Sequence, residues 1–237
     1  MIKDENVLQL KITLSDIKPA IWRRFLVKNT ITFEQLHNII QKVMGLENYH
    51  LYEFVVGTVS IIPDDEGYNA AESSFHTIFK SPEFVKLIKE GEKNGKKVDL
   101  DKINEILNNT KRDTPQFDIN TSVNILLKKE GQKFKYIYDF GDHWEHKVIV
   151  EKIFDKEEGK TYPSCLDGRR NCPPEDCGGV YGYYELMKIR QNRKHPEYKE
   201  RIVEWLGEDY DPELFVIDWV NAYLQGKKPK AIWMMKK

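Results

Sequence analysis

Residues 7–45 read VLQLKITLSDIKPAIWRRFLVKNTITFEQLHNIIQKVMG, and this stretch predicts two strands followed by a helix. From 7 to 14, apolar and polar residues alternate, which is typical of a strand with one buried face. A turn that contains Pro19 separates this segment from a second apolar segment at 21–27. Two such segments in sequence predict an antiparallel hairpin with a longer loop.

The sequence marks both ends of the helix that follows. Thr32 and Gln35 are spaced as a capping box, in which each side chain bonds the backbone N–H of the other residue. Ile31 and Leu36 are spaced to pack together across this first turn. Gly45 is placed to end the helix, because glycine readily adopts the left-handed conformation found at many helix ends.

The rest of the chain adds strands first and helices last. A strand at 51–56 completes a β-β-α-β order, and residues 63–118 are lysine-rich and predict a helical insertion. Three further strands predict a meander, at 122–128, 133–140 and 144–153. Three helices are predicted after them, at 181–192, 196–206 and 211–224.

These elements predict an α+β fold built on a mixed, β-grasp-like sheet. The β-β-α-β order and the meander form the sheet, and the C-terminal helices pack on it. We expect a single domain over residues 1–237. Within it, residues 1–154 form the sheet subregion, and residues 155–237 hold a loop rich in Cys, Pro and Gly together with the last helices.

Composition narrows the class of protein. The chain is 40% hydrophobic and 32% charged, which is typical of a globular protein. Its net charge of -1 predicts neither a dedicated nucleic-acid binder nor a membrane-surface protein. No apolar run reaches the roughly 18 residues that span a bilayer, and the first residues do not resemble a signal peptide. We therefore expect a cytoplasmic protein with no membrane partner.

Residues 138–182 concentrate the side chains that could carry chemistry, including all three cysteines. An odd number of cysteines argues against a disulfide framework in a reducing compartment. Cys165, Cys172 and Cys177 with His146, or with His143, could form a structural zinc site. Cys177 could instead pair with His146 as a nucleophile and base, and the third alternative is that the thiols fill a buried loop.

The carboxylates of the same region allow a different centre. Asp139, Asp142, His146 and Asp176 could hold a metal ion and hydrolyse a phosphodiester-type substrate. Strand alternation turns Glu145 away from His146, so the two cannot share one pocket unless the strand bulges. The alternative is structural, because Asp is favoured in turns and at helix starts for backbone reasons.

A binding surface is also compatible with the sequence. Arginine side chains contact phosphates, and aromatic side chains stack on bases. The candidate binding residues are Trp22, Arg24, Trp144, Arg169 and Glu175. The partner could be a protein or a nucleic acid, and the oligomeric state is left open.

Three strings of residues resemble the plasmid Ri open-reading-frame-three-like family. They are IWRR at 21–24, YDFGD at 138–142 with WEH at 144–146, and CPPEDCGG at 172–179. The resemblance extends from about residue 7 to about residue 224. It implies a cytoplasmic role and an association with plasmids and mobile elements, without a defined reaction. The leading hypothesis is a non-catalytic binding or adaptor domain, and the alternatives are a metal-dependent hydrolase and a structural zinc protein.

Overall fold

The computed structural model describes residues 5–63, 116–118 and 121–227. Its strands are β1 Asn6–Leu14, β2 Trp22–Lys28, β3 Tyr52–Val56, β4 Val59–Ile62, β5 Gln116–Phe117, β6 Lys133–Tyr138, β7 Trp144–Asp155 and β8 Ser164–Arg169. Its α-helices are α1 Phe33–Met44, α2 Val123–Leu126, α3 Gly179–Gln191 and α4 Ile217–Leu224, and a π-helix spans Lys199–Leu206.

One sheet joins all of these strands in the order β5-β4-β3-β6-β7-β1-β2-β8. The neighbours pair antiparallel except β4 and β5, which run parallel. The predicted α+β class, with helices packed on the sheet, is confirmed. The β-grasp detail is not confirmed, because both neighbours of the interior strand β1 are antiparallel to it.

The N-terminal unit forms as its local signals predict. Thr32 Oγ1 accepts a hydrogen bond from the Gln35 backbone N–H, and Gln35 Oε1 accepts one from the Thr32 N–H. Gly45 ends α1 with a φ of 93°. The apolar stripe of α1 is buried against the sheet, with Phe33 and Leu36 both 0% exposed.

Arg23 ties the end of α1 to the edge of the sheet. Its guanidinium donates hydrogen bonds to the carbonyls of Val43 at 2.8 Å and Arg169 at 2.8 Å, and it stacks on the Phe215 ring at 4.4 Å. Burial lowers the pKa of Arg23 to about 10, which leaves the side chain charged at neutral pH. α1, β2 and β8 are therefore fixed to one another by one cation.

The prediction of a strand at 122–128 is wrong, because this segment contains the short helix α2. Val123 and Leu127 are buried while Ile125 is 50% exposed, so burial follows a helical spacing rather than strand alternation. The predicted meander is reduced to the hairpin of β6 and β7, and β7 then pairs with β1.

Three strands were missed and one helix begins later than predicted. β4 folds back on β3, the two-residue β5 pairs parallel with β4, and β8 lies within the cysteine-containing loop and pairs with β2. The helix expected from 211 begins at Ile217, because Asp211 accepts a hydrogen bond from Glu213 N–H in a tight turn and so delays the helix. The helices predicted within 63–118 lie outside the described residues.

The helices cover the half of the sheet that ends in β2 and β8. α4 packs against α1 and β8, while α3 packs against the π-helix. Within the described ranges, no helix has the length and apolar character that crossing a bilayer requires.

Candidate functional site

Four side chains from three distant segments converge where β6 ends. His50 precedes β3, Asp139 follows β6, and Glu175 and Asp176 lie in the loop before α3. His50 Nε2 lies 3.2 Å from an Asp176 oxygen, 3.7 Å from an Asp139 oxygen and 3.7 Å from a Glu175 oxygen. We call these four residues the His50 cluster.

Strand pairing brings the first two members together. β3 and β6 pair antiparallel with Tyr52 opposite Tyr138, so the residues just before β3 lie beside those just after β6. The Asp139 N–H accordingly donates to the Leu51 carbonyl at 2.9 Å. His50 and Asp139 are therefore neighbours because of the sheet register, although they lie far apart in the chain.

The turn after β6 docks directly onto the loop before α3. Asp139 has a φ of 55°, and its Oδ1 accepts a hydrogen bond from Gly141 N–H. Asp142 Oδ2 accepts one from Gly178 N–H at 3.0 Å. A Cβ on Gly179 would lie 2.5 Å from the Asp142 carbonyl oxygen, so the close approach requires glycine there.

Glu175 is held inside the site by one of its two oxygens. Its Oε1 accepts hydrogen bonds from the Glu47 N–H at 2.8 Å and the Tyr138 hydroxyl at 3.1 Å. Its side chain is only 8% exposed, and burial raises the pKa of this carboxyl. The other oxygen, Oε2, and His50 Nε2 are both buried and have no hydrogen-bond partner.

A cleft of about 200 Å³ opens beside the His50 cluster. Its wall includes four carboxylates and two exposed aromatic side chains, namely Glu47, Glu175, Asp176, Asp209, Tyr49 and Trp205. Tyr49 is 65% exposed and Trp205 is 48% exposed. The described residues that line this acidic cleft include no Lys, Arg or His.

The segment that carries Trp205 is itself unusual. Trp205 lies near the end of the eight-residue π-helix Lys199–Leu206. π-Helical hydrogen bonding is rare and is often found at functional sites. One wall of the acidic cleft is thus formed by a π-helix, a backbone conformation that is often found at functional sites.

The three cysteines are buried as separate thiols. Burial raises the pKa of Cys165 to about 11 and that of Cys172 and Cys177 to about 12. Among the described residues, the group of three or more metal-ligand side chains that converges within 4.8 Å is His50, Asp139 and Asp176, and it contains no thiol. The arrangement therefore gives the predicted Cys–His zinc set no support, and thiols with raised pKa values are poor nucleophiles.

The residues of the hydrolase hypothesis are brought together only in part. Asp139 and Asp176 converge, whereas Asp142 bonds the loop before α3. His146 is fully buried on β7, its Nδ1 lies 3.1 Å from the Trp144 carbonyl, and burial lowers its pKa to about 4. His50 supplies the imidazole of the cluster instead.

Sequence reasoning missed His50 because a single histidine in a loop matches no motif. The signal that could have found it is the pairing of two predicted strands, at 51–56 and 133–140. Predicted as neighbours in antiparallel register, they would have placed His50 beside Asp139. The predicted separation of Glu145 from His146 is seen, because Glu145 faces Lys135 at 2.9 Å on the opposite side of the sheet.

The five candidate binding residues do not form one surface: Trp22, Arg24, Trp144, Arg169 and Glu175. Glu175 lines the acidic cleft, and Trp144 is 2% exposed. Arg24 pairs with Glu151 at 2.6 Å on the polar face of the sheet, beside Trp22. Trp22 also lies opposite Arg169 across the pair of β2 and β8.

The chain is similar to proteins of one family. The family model described as "Plasmid pRiA4b ORF-3-like protein" matches residues 6–218. The "Uncharacterized protein y4hQ" of Sinorhizobium fredii (strain NBRC 101917 / NGR234) is 30% identical over 208 residues, which are 87% of this chain and 84% of that protein. The crystal structure of the protein of unknown function MM3350 from Methanosarcina mazei Go1 matches with a TM-score of 0.65 and 30% identity, covering 90% of this chain and 97% of that chain. The resemblance predicted from three short strings is thus confirmed, and the chain belongs to the plasmid pRiA4b ORF-3-like family.

Proposed function

We propose that this protein is a binding domain that holds a lysine or arginine side chain of a partner protein in the acidic cleft. The observation that carries the proposal is the charge of the cleft. Four carboxylates line it, and the described lining residues include no positive side chain. A cleft lined by one sign of charge attracts the opposite charge and speeds its association.

The size of the cleft fits one side chain better than a larger ligand. Its volume of about 200 Å³ is below the roughly 300 Å³ at which small-molecule pockets begin. Tyr49 and Trp205 offer exposed ring faces, and a cation over such a face gains about 0.5–1 kcal/mol. The apolar stem of a lysine or arginine can lie along the same rings.

The same charge disfavours anionic ligands at this position. A phosphodiester substrate or a nucleic-acid backbone would meet the carboxylates of Glu47 and Asp176, and the described lining residues include no Lys or Arg. Binding of such polyanions generally relies on Lys and Arg. The geometry thus favours the binding-domain hypothesis over the phosphodiester hydrolase.

Fluorescence anisotropy tests the proposal with a fluorescein-labelled decapeptide of alternating lysine and glycine. The matched probe replaces every lysine by glutamate, and EDTA is present throughout. We expect saturable binding of the lysine peptide alone, weakened by salt because exposed charges are screened. The variant Glu47→Gln should weaken binding about threefold, since one attractive charge is lost.

Two further variants make the test specific to the cleft. Trp205→Ala should weaken binding about threefold, through the loss of one cation–aromatic contact. Asp167→Asn is the charge-matched control, because it removes an exposed carboxylate of β8 that does not line the cleft. Equal binding of both peptides, or equal losses in the control and in Glu47→Gln, would refute the proposal.

A further inference from the structure

We propose that the His50 cluster binds one divalent transition-metal ion through His50, Asp139, Glu175 and Asp176. The ligand atoms of His50, Asp139 and Asp176 all lie within 4.8 Å of one another. Bonds of about 2.0–2.2 Å from a single ion to nitrogen and oxygen ligands place those ligands at most about 4.4 Å apart. The observed spacing thus needs only small side-chain adjustments to close around one ion.

Glu175 gives an independent reason to place a cation there. Its side chain is more than nine-tenths buried, yet Oε2 has no hydrogen-bond partner and lies 3.7 Å from His50 Nε2. His50 Nε2 is likewise buried without a hydrogen bond, although three carboxylates surround it. Buried polar atoms almost always make hydrogen bonds, so two such atoms that face each other without one call for a common ligand.

The surrounding hydrogen bonds hold the ligands as metal sites usually require. Glu175 Oε1 is fixed by Tyr138 and by the Glu47 N–H, which leaves Oε2 for the ion. Asp139 Oδ1 is fixed by Gly141 N–H, which leaves its Oδ2 on the side of His50. Hydrogen bonds of this kind orient the metal ligands, and their removal typically lowers metal affinity about tenfold or more.

The donor set selects the kind of ion. One imidazole nitrogen suits transition metals better than Mg²⁺ or Ca²⁺, and three carboxylates suit Mn²⁺ better than copper. The ion and the three carboxylates together keep a net charge of about -1, so the neighbouring cleft stays negative. This inference does not depend on the partner proposed for the cleft.

Titration of the chelator-treated protein with MnCl2, followed by the electron paramagnetic resonance signal of free Mn²⁺, tests the site. We expect one equivalent of Mn²⁺ to bind. Asp139→Asn and His50→Gln should each weaken the binding at least tenfold. Asp139→Asn keeps an oxygen for Gly141 N–H, and thermal melts without metal confirm that both variants fold.

Two controls separate this site from the proposed function. Asp167→Asn should bind Mn²⁺ like the unmodified protein, because its carboxylate lies outside the His50 cluster. Trp205→Ala should lose peptide affinity and keep Mn²⁺ affinity. If Mn²⁺ does not bind saturably, or if the two ligand variants bind it as tightly as the control, the inference is wrong.

Discussion

Lowering the pH from 7 to 5 should destabilise this protein, because two buried histidines have lowered pKa values in the folded state. The first is His37, which stacks on Tyr52 at 3.5 Å. Its Nε2–H donates to Asn48 at 2.6 Å, so its Nδ1 accepts from the Tyr136 hydroxyl at 2.8 Å. Gln41 in turn donates to that hydroxyl. A proton added to Nδ1 would face the hydroxyl hydrogen of Tyr136, and burial lowers the pKa of His37 to about 4.

The second is His146, which is 0% exposed beneath the sheet. Its Nδ1 lies beside the Trp144 carbonyl, while its Nε2 has no hydrogen-bond partner. A proton on Nε2 would place a charge in an apolar environment without an acceptor. Burial therefore lowers the pKa of His146 to about 4 as well.

The magnitude follows from linkage between protonation and folding. Each histidine has an unfolded pKa of 6.5 and a folded pKa of about 4. The unfolded chain binds more protons between these values, so stability is full above pH 6.5 and is lost as the pH falls towards 4. Between pH 7 and pH 5 the loss is about 1.8 kcal/mol for each histidine, or about 3.6 kcal/mol for the pair.

Urea denaturation at pH 5, 6, 7 and 8 in the presence of EDTA measures this loss. The variants His37→Gln and His146→Gln should each remove about half of the pH dependence, even where they lower stability at pH 7. The raised pKa of Glu175 acts in the opposite direction, because the folded state then holds the extra proton, and it reduces the observed drop. Equal free energies of unfolding at pH 5 and pH 7, or a full drop in both variants, would refute this reasoning.

Three further outcomes are expected from single features of the fold. Gly182→Ala should lower the free energy of unfolding, measured by urea denaturation, by about 3 kcal/mol, because the added Cβ would lie 1.9 Å from the Cys177 carbonyl oxygen. At Gly131, where an added Cβ would meet no atom within 4 Å, substitution by Ala should lower the free energy of unfolding by only about 1 kcal/mol, because of the positive φ. Equal losses in the two glycine variants would contradict the packing argument. Arg23→Met should lower the free energy of unfolding by about 3 kcal/mol, because it leaves buried carbonyls without a hydrogen-bond donor. An unchanged urea midpoint would contradict the role of Arg23 in fixing α1, β2 and β8 to one another. The three buried thiols should resist Ellman's reagent at pH 8 and react fully in urea, and fast labelling of the folded protein would show them to be accessible.

Local signals predicted the parts of the fold that depend on local physics. The capping box of Thr32 and Gln35 and the left-handed Gly45 were readable because each involves residues within one helix. The alternation of β1 and β7 was readable because one face of each strand is buried. The sequence did not predict α2 or β8. α2 depends on the burial of Val123 and Leu127 in the folded protein, and β8 depends on its pairing with β2.

The site was predictable only in its parts. Asp139, Glu175 and Asp176 stand in strings that attracted attention in the sequence, whereas His50 does not. Their convergence depends on the register between β3 and β6 and on the docking of Asp142 against Gly178. Neither contact leaves a spacing pattern in the chain, so a sequence alone assigns the carboxylates to turns and caps as readily as to a site.

The parallel pair at the sheet edge determines where this chain can change length. β4 ends at Ile62, and the chain re-enters the sheet at Gln116, whose pairing partner is Ile61. The exit and the return are therefore adjacent, at the margin of the seven strands that pair antiparallel. Because the free energy of closing a flexible loop rises by only about 0.6 kcal/mol for each doubling of its length, the adjacent ends at this junction are compatible with connections of different length. For protein engineering, it is the natural place to insert a reporter or to shorten the chain while keeping the His50 cluster at the end of β6 intact.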